Sequence, residues 1–579
     1  MDRIKVFQII VITIVMVIIA RLFYWQFIAK LERPAASIDS QGLPAPRGEI
    51  YASDGFPLAA NQEAFLVFAK PQEIKGNPAD IAKNIAPYLI SEKYATNSAS
   101  LSQDDEKHKK EEVEKKQKEI EDKLGEKNLV WIQVARKVTL ETKNKIEAQK
   151  IEGLGFEKDT KRFYPEASMA ATLLGFVGSD KLGQDTGYFG LEGYYDKQLQ
   201  GTPGRNGSET DPFGFPILVG KYKRLEPKQG ASLHLNLDRV VQFFAEKRLN
   251  QDVEKYGAKD GLVVIIDPQT GHILALATSP SYNPAIFSEY GQDLFKNPVV
   301  ADTYEPGSTF KVITMSSALD QNLVTPSTKC DICTGPRQIG GFEISTWNKK
   351  YYPNSTMTEV VEHSDNIGIT FVADKLGIDK LASYIDKFGF GKTTGIDLQE
   401  ESTGNIRPKK EWRPIDLATA SFGQGIGVTP IQMLEAVAAV ANGGKLITPK
   451  VVEKIVDDRG ETRVKPDVEK QVISKEAAVQ MSEMMVTVVE KGEAQAFAPK
   501  GYRIAGKTGT AQIPVAGHYD PNKTIASFVG FAPADKPKFV MLVRFTEPTS
   551  SPFGAETAAP TFFAIAKELF NYYGISPSN

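Results

Sequence analysis

"YEPGSTFKVI", Tyr304–Ile313, is the stretch on which the fold turns. Pro306-Gly307 is a good start for a helix, and Phe310, Val312 and Ile313 supply apolar residues to bury. If Ser308 opens that helix, Lys311 stands one turn on and on the same face, within reach of the serine hydroxyl. A serine hydroxyl is a poor nucleophile until a base takes its proton. A lysine can be that base when burial or a neighbouring cation lowers its pKa toward neutrality. Free N–H groups at a helix start can also hold an oxyanion. Taken alone, the stretch favours a simple capping serine, because serine caps helices so often.

Two further fragments change the balance. "EHSDNIG" gives Ser364-Asp365-Asn366 after a predicted helix, and "IAGKTGTAQ" gives Lys507-Thr508-Gly509-Thr510 in a strand-like context. Each has an ordinary reading, as a turn and as a strand edge. S-x-x-K, S-D-N and K-T-G in this order are hard to obtain by chance, and together they resemble the penicillin-recognising serine acyltransferases. In that frame Ser308 attacks a carbonyl and Lys311 accepts its proton. Ser364 relays a proton to the leaving amine. Asn366 orients Lys311 and donates to the substrate amide. Lys507 supplies positive charge for a substrate carboxylate and helps keep Lys311 neutral. Thr508, Gly509 and Thr510 line an edge along which an extended substrate lies, with Gly509 permitting close approach. The N–H groups of Ser308 and Thr510 form the oxyanion hole.

The rest of the chain sets the context. At 579 residues it is too long for one ordinary domain, and 41% hydrophobic residues supply sizeable cores. With 69 basic against 72 acidic residues, the charge makes no general case for nucleic-acid binding. Residues 1–5 read as a short cytoplasmic tail and 6–28 as a transmembrane anchor: the run is apolar and β-branched, Arg3 and Lys5 precede it, and Tyr24 and Trp25 suit an interface. No small-residue cleavage site follows it. Residues 29–46 read as a linker rich in Pro, Ala and Ser. Asp54-Gly55 reads as a hairpin turn. The charge run at 104–127 reads as a solvated helix with i,i+4 pairs and a thin stripe of Val113, Ile120 and Leu124. A loop-like stretch, 201–230, marks a domain boundary.

"GLVVIIDPQTGHILALAT", Gly261–Thr278, predicts a hairpin, and Ile525–Phe531 with Phe539–Phe545 predict paired strands. A helix is expected before Gly443-Gly444 and another over Thr561–Tyr573. Strands at both ends of this region with helices between predict an α/β sandwich whose sheet unites the two ends. Cys330 and Cys333, in "CDIC", fit half a zinc site, a redox pair or a short-loop disulfide. No second cysteine pair exists and the five histidines are scattered, so zinc is disfavoured. Outside the membrane a disulfide and two loop thiols without a role stand level. No metal or other cofactor is called for.

Over nearly its whole length the chain resembles the class B penicillin-binding proteins. "RGEIYASDGFPLA" (Arg47–Ala59), "RFYPEASMAATLLGFVG" (Arg162–Gly178) and "GLEGYYDKQLQG" (Gly190–Gly201) look like the non-catalytic pedestal. "TSPSYNP" (Thr278–Pro284), "FGQGIGVTP" (Phe422–Pro430) and "GAETAAPTF" (Gly554–Phe562) are similar to the transpeptidase domain. One departure is Ala52-Ser53-Asp54-Gly55, where the family often reads Asp-Arg-Asn-Gly. The resemblance implies a mainly antiparallel sheet flanked by helices at 230–579, an α+β dimerisation-like pedestal at 47–229, and a catalytic domain outside the bacterial cytoplasmic membrane. It implies a peptidoglycan D,D-transpeptidase that cross-links D-Ala-D-Ala stem peptides through a serine acyl-enzyme and is acylated by β-lactams. "YEPGSTFKVI" and "ATASFGQGIGVTP" look more like the septal, cell-division type, which implies a polytopic membrane glycosyltransferase and division proteins as partners. The alternatives are an elongation-type transpeptidase, a serine β-lactamase and a non-catalytic β-lactam sensor. Glu401–Asn405 has the E-x-x-x-N form of a lactamase, but its setting, "GIDLQEESTGNIRP", resembles an ordinary transpeptidase loop. A sensor needs signalling spans or a cytoplasmic effector domain, and only the short tail precedes the anchor.

Overall fold

The computed structural model describes residues 3–24, 39–43, 45–94, 103–181, 183–208, 223–466, 469–515 and 518–577. These fall into two compact units. One draws on Met1–Arg47, Glu63–Thr160 and Gly201–Gly230; the other draws on Gly48–Gln62, Lys161–Gln200 and Ala231–Asn579.

The second unit is built on a five-stranded antiparallel sheet. Its strands are β1 (Asp260–Ile266), β2 (Ile273–Ser279), β3 (Ala505–Val515), β4 (His518–Ala532) and β5 (Phe539–Thr546), in the order β2-β1-β5-β4-β3. The predicted hairpin forms β1 and β2: Gly261 faces Ser279 and Ile266 faces Ile273. Its turn closes because Asp267 Oδ1 accepts from the Gln269 N–H at 2.8 Å and Gly271 takes a φ of 76°. β4 and β5 pair as expected, with Phe531 opposite Val540. β1 lies beside β5, so the sheet does unite the two ends of the region.

Both faces of this sheet are covered, which is why its strands read as apolar runs. Val263, Ile265, Met541 and Val543 pack with Val241 and Leu249 of the helix Arg239–Tyr256 and with Phe562 and Leu569 of the helix Ala558–Tyr572. Leu262, Val264, Val540 and Leu542 point the other way. They join Val312 of the helix Lys311–Asp320, Val437 of Pro430–Ala441 and Met485 of Lys475–Lys491. The helix Pro430–Ala441 carries a capping box from Thr429 and Gln432 and gives way to Gly443 and Gly444 at φ 62° and 88°. Asp54-Gly55 makes its turn between Ile50–Tyr51 and Pro57–Ala59: the Ala52 N–H donates to Phe56 O, and the Phe56 N–H to Asp54 Oδ1.

In the first unit the charge run forms a helix, Gln103–Gly125, packed on Pro78–Tyr94. Ile120 and Leu124 are fully buried, beside Ile81, Ile85 and Val134. Its ion pairs centre on Glu119, which meets Lys116 at 3.0 Å and Lys123 at 2.7 Å. Asp39–Leu43, inside the stretch read as linker, pairs with Gly204–Ser208, which pairs with Lys223–Leu225. A helix spans Arg3–Phe23, and its described side chains, Gln8 and residues 11–23, are exposed. Among the described residues no helix is long and apolar enough to cross a membrane. Residues 25–38, which include the end of the expected anchor and most of the expected linker, lie outside the described residues, as do 209–222 of the expected boundary loop.

Candidate active site

Gly307–Phe310 forms a 3₁₀ turn that runs directly into the helix Lys311–Asp320. Pro306 occupies the cap position and no side chain caps the turn. Ser308 is therefore inside the first turn rather than its cap, and among the described residues its hydroxyl is in no hydrogen bond. Lys311, one turn on, is fully buried. Its Nζ does not bond Ser308. It donates to Ser364 O at 2.6 Å and to Asn366 Oδ1 at 2.7 Å, and lies 3.2 Å from Ser364 Oγ.

Local structure explains how these acceptors are presented. The helix Met357–Glu362 starts at a capping box of Thr356 and Glu359 and ends before Ser364, which takes the left-handed conformation at φ 53°. That conformation is uncommon for a residue with a Cβ. Here it turns both the carbonyl and the hydroxyl of Ser364 toward Lys311. Asp365 then caps the next helix, Asn366–Lys387, by accepting from the Ile367 N–H at 2.7 Å. Asn366 sits at its first position, with one amide proton given to Ser345 O at 3.0 Å. Its second amide proton makes no hydrogen bond among the described residues.

Lys507 enters from β3, where Lys507, Thr508 and Gly509 pair with Val529, Phe528 and Ser527. Its Nζ donates to Ser364 Oγ at 3.0 Å and to Thr508 O and Oγ1, each at 3.2 Å. Ser364 Oγ thus lies between two buried amines. Burial, and then the charge of Lys507, hold Lys311 well below the usual lysine range. Lys507 itself is lowered to about 8, by burial. Burial is the larger cause of the lowering at Lys311, and Lys507 the second.

Gly509 is needed for a reason the sequence did not reveal. A Cβ there would meet Ser527 Oγ at 2.5 Å, Thr309 Cγ2 at 2.8 Å and Pro306 O at 3.1 Å. The strand thus packs directly against the turn that carries Ser308. Gly307, at φ 56°, sits on the other side of that contact, 3.0 Å from Thr510 O when given a Cβ. Gly554 completes it, donating its N–H to Thr510 Oγ1 at 3.1 Å.

Ser308, Ser364, Asn366, Thr508 and Thr510 line one groove of about 920 Å³. Trp347 and Phe553 stand at its wall with ring centroids 5.4 Å apart. Glu493 lines it too. These three residues carry no sequence signal of their own, since their roles depend on which loops meet. Cys330 and Cys333 form a disulfide and are buried away from the groove. The Cys330 N–H donates to Ser355 O at 2.8 Å, next to the cap of Met357–Glu362.

Comparison with known proteins fits this constellation. Residues 261–569 match the penicillin binding protein transpeptidase domain, and residues 42–235 match the penicillin-binding protein dimerisation domain. The chain belongs to the penicillin-binding proteins. Stage V sporulation protein D of Bacillus subtilis is 35% identical over 98% of this chain and 85% of its own length. Peptidoglycan D,D-transpeptidase FtsI of Escherichia coli is 32% identical over 77% of this chain and 73% of its own. A solved peptidoglycan synthetase from Bifidobacterium adolescentis superposes with a TM-score of 0.72 at 26% identity, covering 93% of this chain and 97% of its own. With these relatives the chain is a class B penicillin-binding protein and a serine-type D,D-transpeptidase.

In this penicillin-binding protein Glu401 is turned elsewhere. Its carboxylate accepts from the Thr394 N–H at 2.6 Å and the Gly395 N–H at 3.1 Å, and it takes no part in lining the groove.

Proposed function

We propose that this protein cross-links stem peptides in septal wall synthesis, with Ser308 as nucleophile and Lys311 as its base. The observation that carries the reading is the seating of the Lys311 amine. A neutral amine has two N–H groups and one lone pair. The two short bonds to Ser364 O and Asn366 Oδ1 use both N–H groups. The lone pair is left to take the Ser308 proton, directly or through the Ser364 hydroxyl.

Ser308 Oγ attacks the carbonyl of the D-Ala-D-Ala bond as its proton moves to Lys311. The N–H groups of Ser308 and Thr510 hold the oxyanion. As the C–N bond breaks, the proton passes by Ser364 Oγ to the departing D-alanine amine. Lys507 and the Thr508 hydroxyl receive the donor's terminal carboxylate, while Asn366 donates to the substrate amide. An acceptor amine then reverses these steps and frees Ser308. A β-lactam enters as a donor whose leaving amine stays attached.

Residues 6–28 serve as the anchor in the cytoplasmic membrane, with the catalytic domain 230–579 outside and the region 47–229 as its pedestal. The apolar, β-branched run from Val6, with Arg3 and Lys5 before it, supports this placement. A polytopic membrane glycosyltransferase and division proteins are the partners. In the test, Ser308→Ala abolishes covalent labelling by fluorescent penicillin, and a fluorescent fusion gathers at septa. Labelling that survives Ser308→Ala refutes the nucleophile. Signal along the lateral wall without septal enrichment supports the elongation reading instead.

A further inference from the structure

The transpeptidation step needs two substrates, and the residues described so far receive only the donor. The donor's carboxylate is met by Lys507 and Thr508. The acceptor brings the opposite charge, since a primary amine reaches neutral solution as an ammonium ion. By microscopic reversibility the incoming amine takes the place vacated by the leaving amine, beside Ser364 Oγ. The groove must therefore collect a cation at its Ser364 end.

Three carboxylates line the groove: Glu343, Asp416 and Glu493. Asp416 is held by Arg407 at 2.6 Å and Arg413 at 2.9 Å. Glu343 accepts from Gln338 Nε2 at 3.2 Å. Glu493 alone makes no hydrogen bond or ion pair among the described residues. It follows the helix Lys475–Lys491, whose end is fixed by the Gly492 N–H donating to Val488 O at 2.9 Å. A Cβ on Gly492 would lie 3.3 Å from Glu362 O, two residues before Ser364, so this turn is packed against the segment that presents Ser364. Glu493 is also the carboxylate whose charge reaches both Lys311 and Lys507.

We infer that Glu493 is the recognition residue for the acyl acceptor, drawing the ammonium of a primary amine to the Ser364 end of the groove. The inference rests on the transpeptidase reading. The ammonium gives one proton to water, and its nitrogen attacks the acyl carbon. As the new C–N bond forms and the bond to Ser308 Oγ breaks, the second proton passes through Ser364 Oγ and Lys311 to Ser308 Oγ. Glu493 binds and positions; it forms no covalent bond.

The test uses the full-length protein in detergent, a thioester donor and two acceptors: a primary alkylamine, cationic at neutral pH, and hydroxylamine, which is uncharged there. Glu493→Gln should raise the KM for the alkylamine about tenfold, leave that for hydroxylamine within about twofold of wild type, and be rescued in part by Glu493→Asp. An unchanged KM for the alkylamine, or equal losses for both acceptors, overturns the inference. So does a variant whose only change is a shifted pH profile of penicillin acylation, because Glu493 would then act on Lys311 alone. A wild-type protein that takes no acyl group from donor or penicillin fails the transpeptidase reading itself, and the inference with it.

Discussion

At the scale of single residues, the proposed chemistry depends on two buried lysines with different tasks. In the proposed mechanism Lys311 accepts a proton as a neutral amine, whereas Lys507 meets a carboxylate as a cation. Their environments separate them: Lys311 is well below the usual value of 10.5, and Lys507 is lowered only to about 8. Acylation by penicillin should rise with pH as Lys311 loses its proton, and fall again above about 8 as Lys507 loses its charge. Lys507→Gln removes a like charge from beside Lys311. The rising limb should then move to higher pH, the falling limb should vanish, and the maximum rate should drop about tenfold or more. The second-order rate constant for labelled penicillin, followed across the pH range, reads all three effects. A rising limb that stays in place shows that burial alone sets Lys311. The same shifts have a consequence for stability. Below 10.5 the unfolded chain binds more protons at these two positions than the folded one, so stability from them increases as pH rises from each folded value toward 10.5.

At the scale of elements, the site is a contact between the strand β3 and the turn Gly307–Phe310. The strand brings Lys507 and Thr510, and the turn brings Ser308. Gly509 sets their spacing, because any Cβ there overlaps atoms on both sides, including the backbone oxygen of Pro306 at 3.1 Å. Ser527 Oγ can swing away, but Pro306 O cannot move without moving Ser308. Gly509→Ala should therefore lower the rate of penicillin acylation about a hundredfold, the cost of an ångström-scale misplacement. It should lower Tm by only a few degrees, since a unit larger than a domain of about 150–250 residues shifts by less than about 2–4 °C per kcal/mol of strain. Gly335→Ala is the matched control: a Cβ there meets nothing within 4 Å, so neither quantity should move. Wild-type acylation by Gly509→Ala would show that strand and turn are not rigidly coupled.

At the scale of the whole molecule, much of the fold was legible because covered sheets have a simple signature. Leu262 to Ile266 and Val540 to Val543 are apolar throughout because helices pack on both faces, and the turn at Asp267–Gly271 carries its own code. The three short motifs were visible as residue types alone, and the fold brings Lys311, Ser364, Asn366 and Lys507 into hydrogen-bond contact. What stayed hidden was everything set by backbone pairing or loop meeting. Asp39–Leu43 and Gly204–Ser208 are polar and glycine-containing, and main-chain hydrogen bonds join them without any side-chain pattern. The left-handed Ser364, the commitment of one Asn366 proton to Ser345 and the arrival of Glu493 are likewise invisible along the chain. The same distinction decides the lactamase reading, since the pattern Glu401–Asn405 looks right in sequence and fails in space. A deacylating carboxylate must hold a water against the acyl carbonyl. Glu401 is instead spent on Thr394 and Gly395, outside the groove. The penicilloyl group on Ser308 should therefore persist for many minutes or longer, and Glu401→Gln should change its release rate by no more than about twofold, as for a group with no catalytic part. Loss of a fluorescent penicillin label on a denaturing gel measures both. Rapid release by the wild type, slowed strongly in Glu401→Gln, is the outcome that would make this protein a β-lactamase.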